Sequence, residues 1–523
     1  MRSKESDGPA RSLRDTPLTL AGDEFRRLGH ELVEAIADFL EGIPDGPVTR
    51  DDSPGKIREL IGADRPLPEE GTEPAALLRQ ARDILFEHSL FNGHPRFFGY
   101  ITSSPAPIGM LGDLLAAAVN PNVGAWRLAP VATEIEAQTI RWIAELIGYP
   151  SACGGLFVSG GNMANIVGLF AARVAAADWD LRATGVAGPA QPPLRAYASA
   201  ETHTWIQKGC DLSGIGTEAI RWIPVDANLR MDTVALRETL VRDLAGGVRP
   251  VMVVGNAGSV STGTVDPLRE IGAICREAEV WFHVDGAYGA FAAAAPGASD
   301  DLGALALADS VAVDPHKWLY APLEAGCVLV RDPEGLRKAF SYHPPYYHFG
   351  EEATNYFDFG PQNSRGFRAL KVWLALGVAG RAGYVKTIGD DIQLSERLHA
   401  LISTHPELEA VTQCLSINTF RYLPPDLRVE AGSDASAPYL DELNEALLER
   451  IQRSGEAFVS NAVIRGRYLL RCCIVNFNTT QADIEALPEI VARLGRELDA
   501  ELRPASASFV VPRTLSNLDS GSE

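Results

Sequence analysis

Long apolar runs are missing from this 523-residue chain. No uninterrupted stretch reaches the ~18 residues a membrane-spanning helix needs, and even the Ala-rich stretch around Ala292 is short and small-sided. The N-terminus, Met1 to Pro17, is rich in Arg, Asp and Ser and lacks the apolar core of a secretory signal. Cysteine is sparse and scattered. The seven residues, Cys153, Cys210, Cys275, Cys327, Cys414, Cys472 and Cys473, show none of the paired spacings of a zinc site. They predict no metal and a reducing, cytoplasmic compartment. Positive charge is also in deficit: 47 Lys and Arg stand against 68 Asp and Glu, a formal net charge of −21. So acidic a chain lacks the basic face of a nucleic-acid binder, and neither nucleic acid nor membrane is expected as a partner.

What is present suits a large globular protein. With 46% hydrophobic and 22% charged residues, the chain can bury at least one large core, and its length suggests two or more domains. Both ends lack periodicity and read as disordered. Phe25, Leu28, Leu32, Ile36 and Phe39 fall at the three-and-four spacing of one buried helix face, over Asp23–Leu40. The Pro- and Gly-rich sequence that follows, up to His88, has little core of its own and needs a surface to pack on.

The middle alternates strand-like and helical runs. Strands are expected at Leu156–Val158, Ala196–Ser199, Ile220–Val225, Val251–Gly255, Trp281–Val284, Ser310–Val313 and Cys327–Val330. Helices are expected at Val234–Leu244, capped by Asp232, and at Leu268–Ala278. This alternation implies a mostly parallel sheet covered by helices, the α/β class. After a helix containing Phe367 to Val378 the pattern changes. Helices at Leu440–Ile451 and Ala482–Leu498 stand among short strands at Ile417–Tyr422, Phe458–Ser460 and Tyr468–Val475, which suggests a smaller α+β domain.

Several short segments can carry chemistry. Lys317, in Asp314-Pro315-His316-Lys317-Trp318, follows the strand Ser310–Val313. Most lysines are solvated surface charges, but ligands collect at the C-terminal ends of such strands, and a buried lysine readily gives up the proton that Schiff-base chemistry must remove. Asp285, in His283-Val284-Asp285-Gly286-Ala287-Tyr288, ends another strand. Its commoner use would be a turn or cap; the chemical reading is a carboxylate paired with a pyridine nitrogen, which makes the ring an electron sink. Ser159-Gly160-Gly161-Asn162 lies between a strand and a helix, where small residues let backbone N–H groups approach a phosphate. His203 follows the next strand and is placed to stack on a cofactor ring and meet a substrate carboxylate.

These segments, together with His94-Pro95-Arg96-Phe97-Phe98-Gly99-Tyr100 and Asn363-Ser364-Arg365-Gly366-Phe367-Arg368, resemble the group II pyridoxal 5′-phosphate (PLP) dependent amino-acid decarboxylases over about residues 24–498. The resemblance implies the type I fold of PLP-dependent transferases and an obligate homodimer with the active site at the subunit interface. It sets out a disordered N-terminus (1–20), a helical dimerisation segment (21–95), a large PLP-binding domain (96–385), a small C-terminal domain (386–502) and a disordered tail (503–523). It implies that Lys317 carries the cofactor, Asp285 binds the pyridine nitrogen, Ala287 packs beneath the ring and His203 stacks above it. Gly161, Asn162, Asp314 and His316 match positions around the phosphate. The family's usual loop hydroxyl is replaced by Val260, so the contact falls to Ser259 or Ser261.

The family's mobile loop carries a tyrosine that protonates the carbon left by CO2, and Tyr356 is matched to it, with His348 placed to assist; the plainer reading of Tyr346, Tyr347 or Tyr356 is loop packing. Related aldehyde synthases tend to replace this tyrosine by phenylalanine, so keeping it favours an amine product. The pocket for the substrate side chain is expected from Tyr100, Ile101, Ser103, Val123, Ala125, Trp126 and Ser364, an apolar wall that suits an aromatic ring. The resulting expectation is decarboxylation of an aromatic L-amino acid. A glutamate or diamino-acid decarboxylase and an aromatic aldehyde synthase are the alternatives, and the choice among Trp, Tyr, DOPA and Phe stays open.

Overall fold

The computed structural model describes residues 16–503 apart from 187, 189–190, 343–352 and 429–435. The tails expected to be disordered lie outside the described residues except for 16–20 and 503, and Tyr346, Tyr347 and His348 lie outside them altogether.

The chain divides into two compact units, one ending at Phe91 and one beginning at Asn92. The first holds helices Gly22–Gly42, Pro54–Ile61 and Pro74–His88. Ser53 caps the second through Lys56 N–H, and the Glu73 carboxylate caps the third through Ala75 and Ala76 N–H, each just before a first-turn proline. Phe39 stacks on Phe86 at 4.2 Å. Little else is covered: of the first helix only Leu28 is buried, while Phe25 is 61% and, on the third helix, Leu85 60% exposed.

The second unit is built on a seven-stranded sheet. Its strands are β1 (Gly154–Val158), β2 (Leu194–Ser199), β3 (Ile220–Ile223), β4 (Arg249–Asn256), β5 (Trp281–Asp285), β6 (Ser310–Val313) and β7 (Gly326–Val330), in the order β1-β7-β6-β5-β4-β2-β3. Only β7 runs antiparallel to its neighbours. These are the seven strands expected from the sequence, with ends shifted by at most two residues. Helix Thr233–Ala245 starts at Asp232, whose carboxylate accepts the N–H groups of Val234 and Ala235. β4, β5 and β6 are almost wholly buried, because helices cover both sheet faces. One face packs against Ile140, Leu268 and Ile271, the other against Leu169, Trp205 and Ile206.

The helix expected around 367–378 is the start of a longer one, Ala369–Thr404, interrupted at Gly380 (φ 62°). Beyond it lies a four-stranded antiparallel sheet of β8 (Leu408–Cys414), β9 (Ile417–Tyr422), β10 (Ser460–Ile464) and β11 (Arg467–Cys473). Helices Ala437–Ser454 and Gln481–Leu502 pack on it around a core that includes Phe420, Leu443 and Val491. Strand β8 was not expected, since Leu408-Glu-Ala-Val-Thr-Gln-Cys has no clean alternation. The run expected at Phe458–Ser460 is displaced: Phe458 makes only an isolated bridge to Phe97, and the strand begins at Ser460. Among the described residues no helix is long and apolar enough to cross a membrane.

Candidate active site

Parallel strands end together, so the loops that leave β2, β4, β5 and β6 gather at one edge of the sheet. β1 joins that edge because two antiparallel steps, through β7, restore its direction. A cavity there is lined by Ile101, Gly161, Asn162, Asn165, His203, Asn256, Gly258, Ser259, Val260, Asp285, Ala287, Tyr288 and Lys317. Segments as much as 156 residues apart thus bring Lys317, Asp285, His203, Ala287, Gly161 and Asn162 to one place. A larger cleft of about 900 Å³ lies around Arg249, Trp281 and Arg331 at the opposite edge and holds none of these motifs.

Lys317 sits on the one-turn helix Pro315–Trp318, directly after β6. Its Nζ lies 3.1 Å from Asp314 Oδ2, on a carboxylate whose side chain is 2% exposed. The other oxygen, Asp314 Oδ1, has no partner among the described residues. The His316 ring is tied through Nδ1 to the backbone N–H of Ala325 at 3.1 Å, and burial lowers its pKa from the ordinary value. Asp285 is fixed by two donors: Trp205 Nε1–H reaches Oδ2 at 2.7 Å and the Ala287 N–H reaches Oδ1 at 3.2 Å. The Trp205 backbone N–H donates to His203 Nδ1 at 3.2 Å, so a neutral ring carries its proton on Nε2.

The Gly160–Gly161 turn opens helix Gly161–Ala176, and no side chain caps that helix. A Cβ at Gly161 would lie 2.6 Å from Asp314 Oδ2 and 2.8 Å from the Ala287 methyl, so only glycine leaves this space open. Behind it runs a buried polar chain. Ser310 Oγ and Asn165 Oδ1 each lie 2.7 Å from a nitrogen of His283, and Asn165 Nδ2 donates to the Gly161 carbonyl at 2.8 Å. Burial pushes the His283 pKa down to about 4, which keeps this ring neutral. In the 258–262 loop Ser259 and Val260 line the cavity and Ser261 does not. The Ser259 hydroxyl lies 2.9 Å from Thr262 Oγ1.

The expected proton donor is elsewhere. Tyr356 is 2% exposed, on a short turn (Tyr356–Asp358) inside the large core, and is not among the residues that line the cavity. The Arg365 guanidinium lies 4.7 Å from its ring centre, and burial drives the phenol pKa well above its ordinary value. Packed this way, the Tyr356 phenol has no opening onto the described cavity.

The expected pocket wall also divides. Ile101 lines the cavity. Ser103 is buried with its hydroxyl on the His316 carbonyl at 3.0 Å, and Tyr100 is 58% exposed. Val123 and Ala125 are 0% and 1% exposed and are not among the residues that line this cavity. They belong to a block knitted around Arg365, which bonds the Val123 carbonyl at 2.8 Å and Glu136 at 2.5 Å. Trp126 donates through Nε1 to Glu134 at 2.9 Å, and Ser364, beside Arg365, is exposed. Missed from the sequence were Trp205, Asn165, Asn256 and Tyr288. An aromatic residue or an amide near a strand end ordinarily reads as core or turn, and no local signal marks Asn165, Asn256 and Tyr288 as lining a site or Trp205 as bonding its carboxylate.

The observed donor set fits a pyridoxal group: an amine, a buried carboxylate, an imidazole, and an uncapped helix start walled by a glycine. Fold and site define a PLP-dependent enzyme of fold type I. Residues 54–422 match the model of the pyridoxal-dependent decarboxylase conserved domain, and the chain belongs to that family. It is 32% identical over 486 residues to an aromatic-L-amino-acid decarboxylase of Bacillus atrophaeus, covering 92% of this chain and 97% of the relative. It is 29% identical to a phenylacetaldehyde synthase of a Rosa hybrid cultivar, covering 86% and 90%. The crystal structure of Oryza sativa TDC with PLP and tryptamine superposes with a TM-score of 0.84 at 27% identity, over 93% of this chain and 100% of that one. The protein is a PLP-dependent carboxy-lyase.

Proposed function

We propose that this enzyme releases CO2 and an amine from an aromatic L-amino acid. One observation carries the choice of substrate class: besides Lys317, the described residues lining the cavity include no arginine or lysine that would pair with a side-chain carboxylate, while Ile101, Val260 and Ala287 offer apolar surface. When bound, PLP links to an amine and takes up the electron pair released as CO2 leaves. Lys317 would carry it, Asp285 would face its ring nitrogen, and Ala287 and His203 would lie on its two faces. Gly161 and Asn162 would hold its phosphate from the helix start, with His316, Asp314 and one hydroxyl of the 259–261 loop close by. Asp314 holds the Lys317 ammonium in place whenever that amine is free. His203 offers its Nε2–H to the substrate carboxylate. With Tyr356 in the core, the proton that replaces CO2 falls to Tyr346 or Tyr347.

The working unit is proposed to be a homodimer. Helix Pro107–Val119 exposes Leu111, Leu114, Leu115 and Val119 by 53 to 67%, an apolar surface that a monomer would seldom leave in water. The block around Val123, Ala125, Trp126 and Ser364 would then belong to a composite pocket. The seven free cysteines, five of them buried, suit a reducing cytoplasm.

A panel of aromatic, acidic and diamino acids, assayed for amine, aldehyde and CO2 with added PLP, tests the reading. Equal amounts of amine and CO2 from aromatic substrates are expected, and Lys317→Ala should lose both the cofactor's visible absorbance and turnover. Consumption of only acidic or diamino acids would defeat the substrate argument, and aldehyde with H2O2 as sole product would make the enzyme a synthase.

A further inference from the structure

We propose that Trp205 is a positioning residue for the decarboxylation, holding two of the side chains assigned to the cofactor ring: Asp285 through its indole N–H and His203 through its backbone N–H. The inference rests on reading Asp285 as the partner of the ring nitrogen. Trp205 opens helix Trp205–Leu212, which follows β2, and it is 0% exposed. Its indole is sunk in the core formed by Leu169, Ala198, Ile206 and Val254 and meets the His283 ring edge-on, at 5.7 Å and 76°. The indole therefore has one orientation, and in it Nε1–H ends on Asp285 Oδ2 at 2.7 Å.

The consequence follows from charge. Asp285 is 8% exposed, and among the described residues Trp205 supplies one of its two hydrogen bonds; the other is the Ala287 N–H. A buried carboxylate is stable as an anion only while donors surround it, and each donor lost is costly. With the indole N–H gone, the cheaper arrangement moves the ring nitrogen's proton onto Asp285, leaving a neutral ring that withdraws electrons poorly. At the other end, the Trp205 backbone N–H occupies His203 Nδ1 and leaves Nε2–H as the outward donor. One residue thereby sets the charge at the ring nitrogen and the proton position on the face that His203 covers.

The experiment is 15N NMR of holoenzyme reconstituted with PLP labelled at the ring nitrogen, because pyridinium and pyridine nitrogens resonate far apart. Wild type should show pyridinium. Trp205→Phe, which keeps an aromatic ring without the N–H, should move the signal toward neutral pyridine and lower kcat roughly 10- to 100-fold, the span of one hydrogen bond to a charged group, with KM little changed. Trp205→His, which restores a donor, should recover part of both. Unchanged ring protonation and kcat in Trp205→Phe would overturn the proposal. Asp285→Asn, measured in parallel, separates the two readings. Pyridinium retained there overturns the role of Asp285 itself, whereas pyridinium lost there but kept in Trp205→Phe overturns only the role of Trp205. If Trp205→Phe does not fold, the 15N-indole resonance of Trp205 in wild-type holoenzyme decides: it should shift on Asp285→Asn, and a resonance that stays in place refutes the contact.

Discussion

Arg365 shows how one buried charge can decide the role of its neighbours. Its side chain is 1% exposed and bonds Glu136, itself 0% exposed, at 2.5 Å, while its other contacts are the carbonyls of Phe157 and Val123 at 2.7 and 2.8 Å. A buried ion pair of this kind tolerates no loss of a partner, so everything packed on it is held. Tyr356 lies against the face of that guanidinium and is held with it. Tyr356→Phe should therefore leave the ratio of amine to aldehyde unchanged, while the same change at Tyr346 or Tyr347 should lower amine output and raise aldehyde. Product analysis of the three variants by chromatography checks this; a swing to aldehyde in Tyr356→Phe alone would return that phenol to the chemistry.

Among the elements, the interrupted helix Ala369–Thr404 has a direct hold on the lysine segment. Asp391, on that helix, accepts hydrogen bonds from Trp318 Nε1 at 2.9 Å and Tyr320 OH at 2.8 Å, and Trp318 is the residue after Lys317. Tyr288, which lines the cavity, stacks on Trp318 at 4.9 Å. Burial pushes the Asp391 pKa up to about 7 from an ordinary 3.8, against the opposing effect of its two donors. Between those values the folded protein keeps a proton that the unfolded chain has lost. Stability from this group thus falls as pH rises through that window and levels off above about 7. His283 acts with the opposite sign: its pKa is lowered from 6.5 to about 4, so its contribution is lost as pH falls through that range. Only a difference measurement isolates Asp391. In urea titrations, the stability of Asp391→Asn relative to wild type should rise from pH 4 to 7 and then hold constant. A difference independent of pH would mean that Asp391 is ionised throughout.

For the molecule as a whole, apolar surface is the informative feature. Next to the exposed leucines of helix Pro107–Val119 lies a cleft of about 380 Å³ lined by Leu115, Val119, Leu128, Val131, Phe367 and Leu370. Leu128 and Val131 are themselves 55% and 71% exposed. Burying such a surface is worth roughly 25 cal/mol per Å², and two inserted charges would oppose it strongly. The double variant Leu114→Asp, Leu115→Asp should halve the mass seen by light scattering and abolish activity while the fold persists by circular dichroism. A variant that kept the wild-type mass would place the subunit contact elsewhere.

Much of this protein could be read in one dimension. Strand periods, the Asp232 cap, the limits of helix Leu268–Ala278 and the order of the motifs ending at Lys317 depend on neighbours a few residues away, and local chemistry records them. That the ligand edge would hold Lys317, Asp285, His203 and Gly161 followed from parallel strands, whose ends must align. Tertiary structure alone decided which side chains face that edge. The Trp205 indole meets a carboxylate eighty positions away, and Arg365 meets Glu136 across 229, distances over which no period or spacing carries information. Tyr356 has loop-like neighbours in sequence, whereas its neighbours in space are the core.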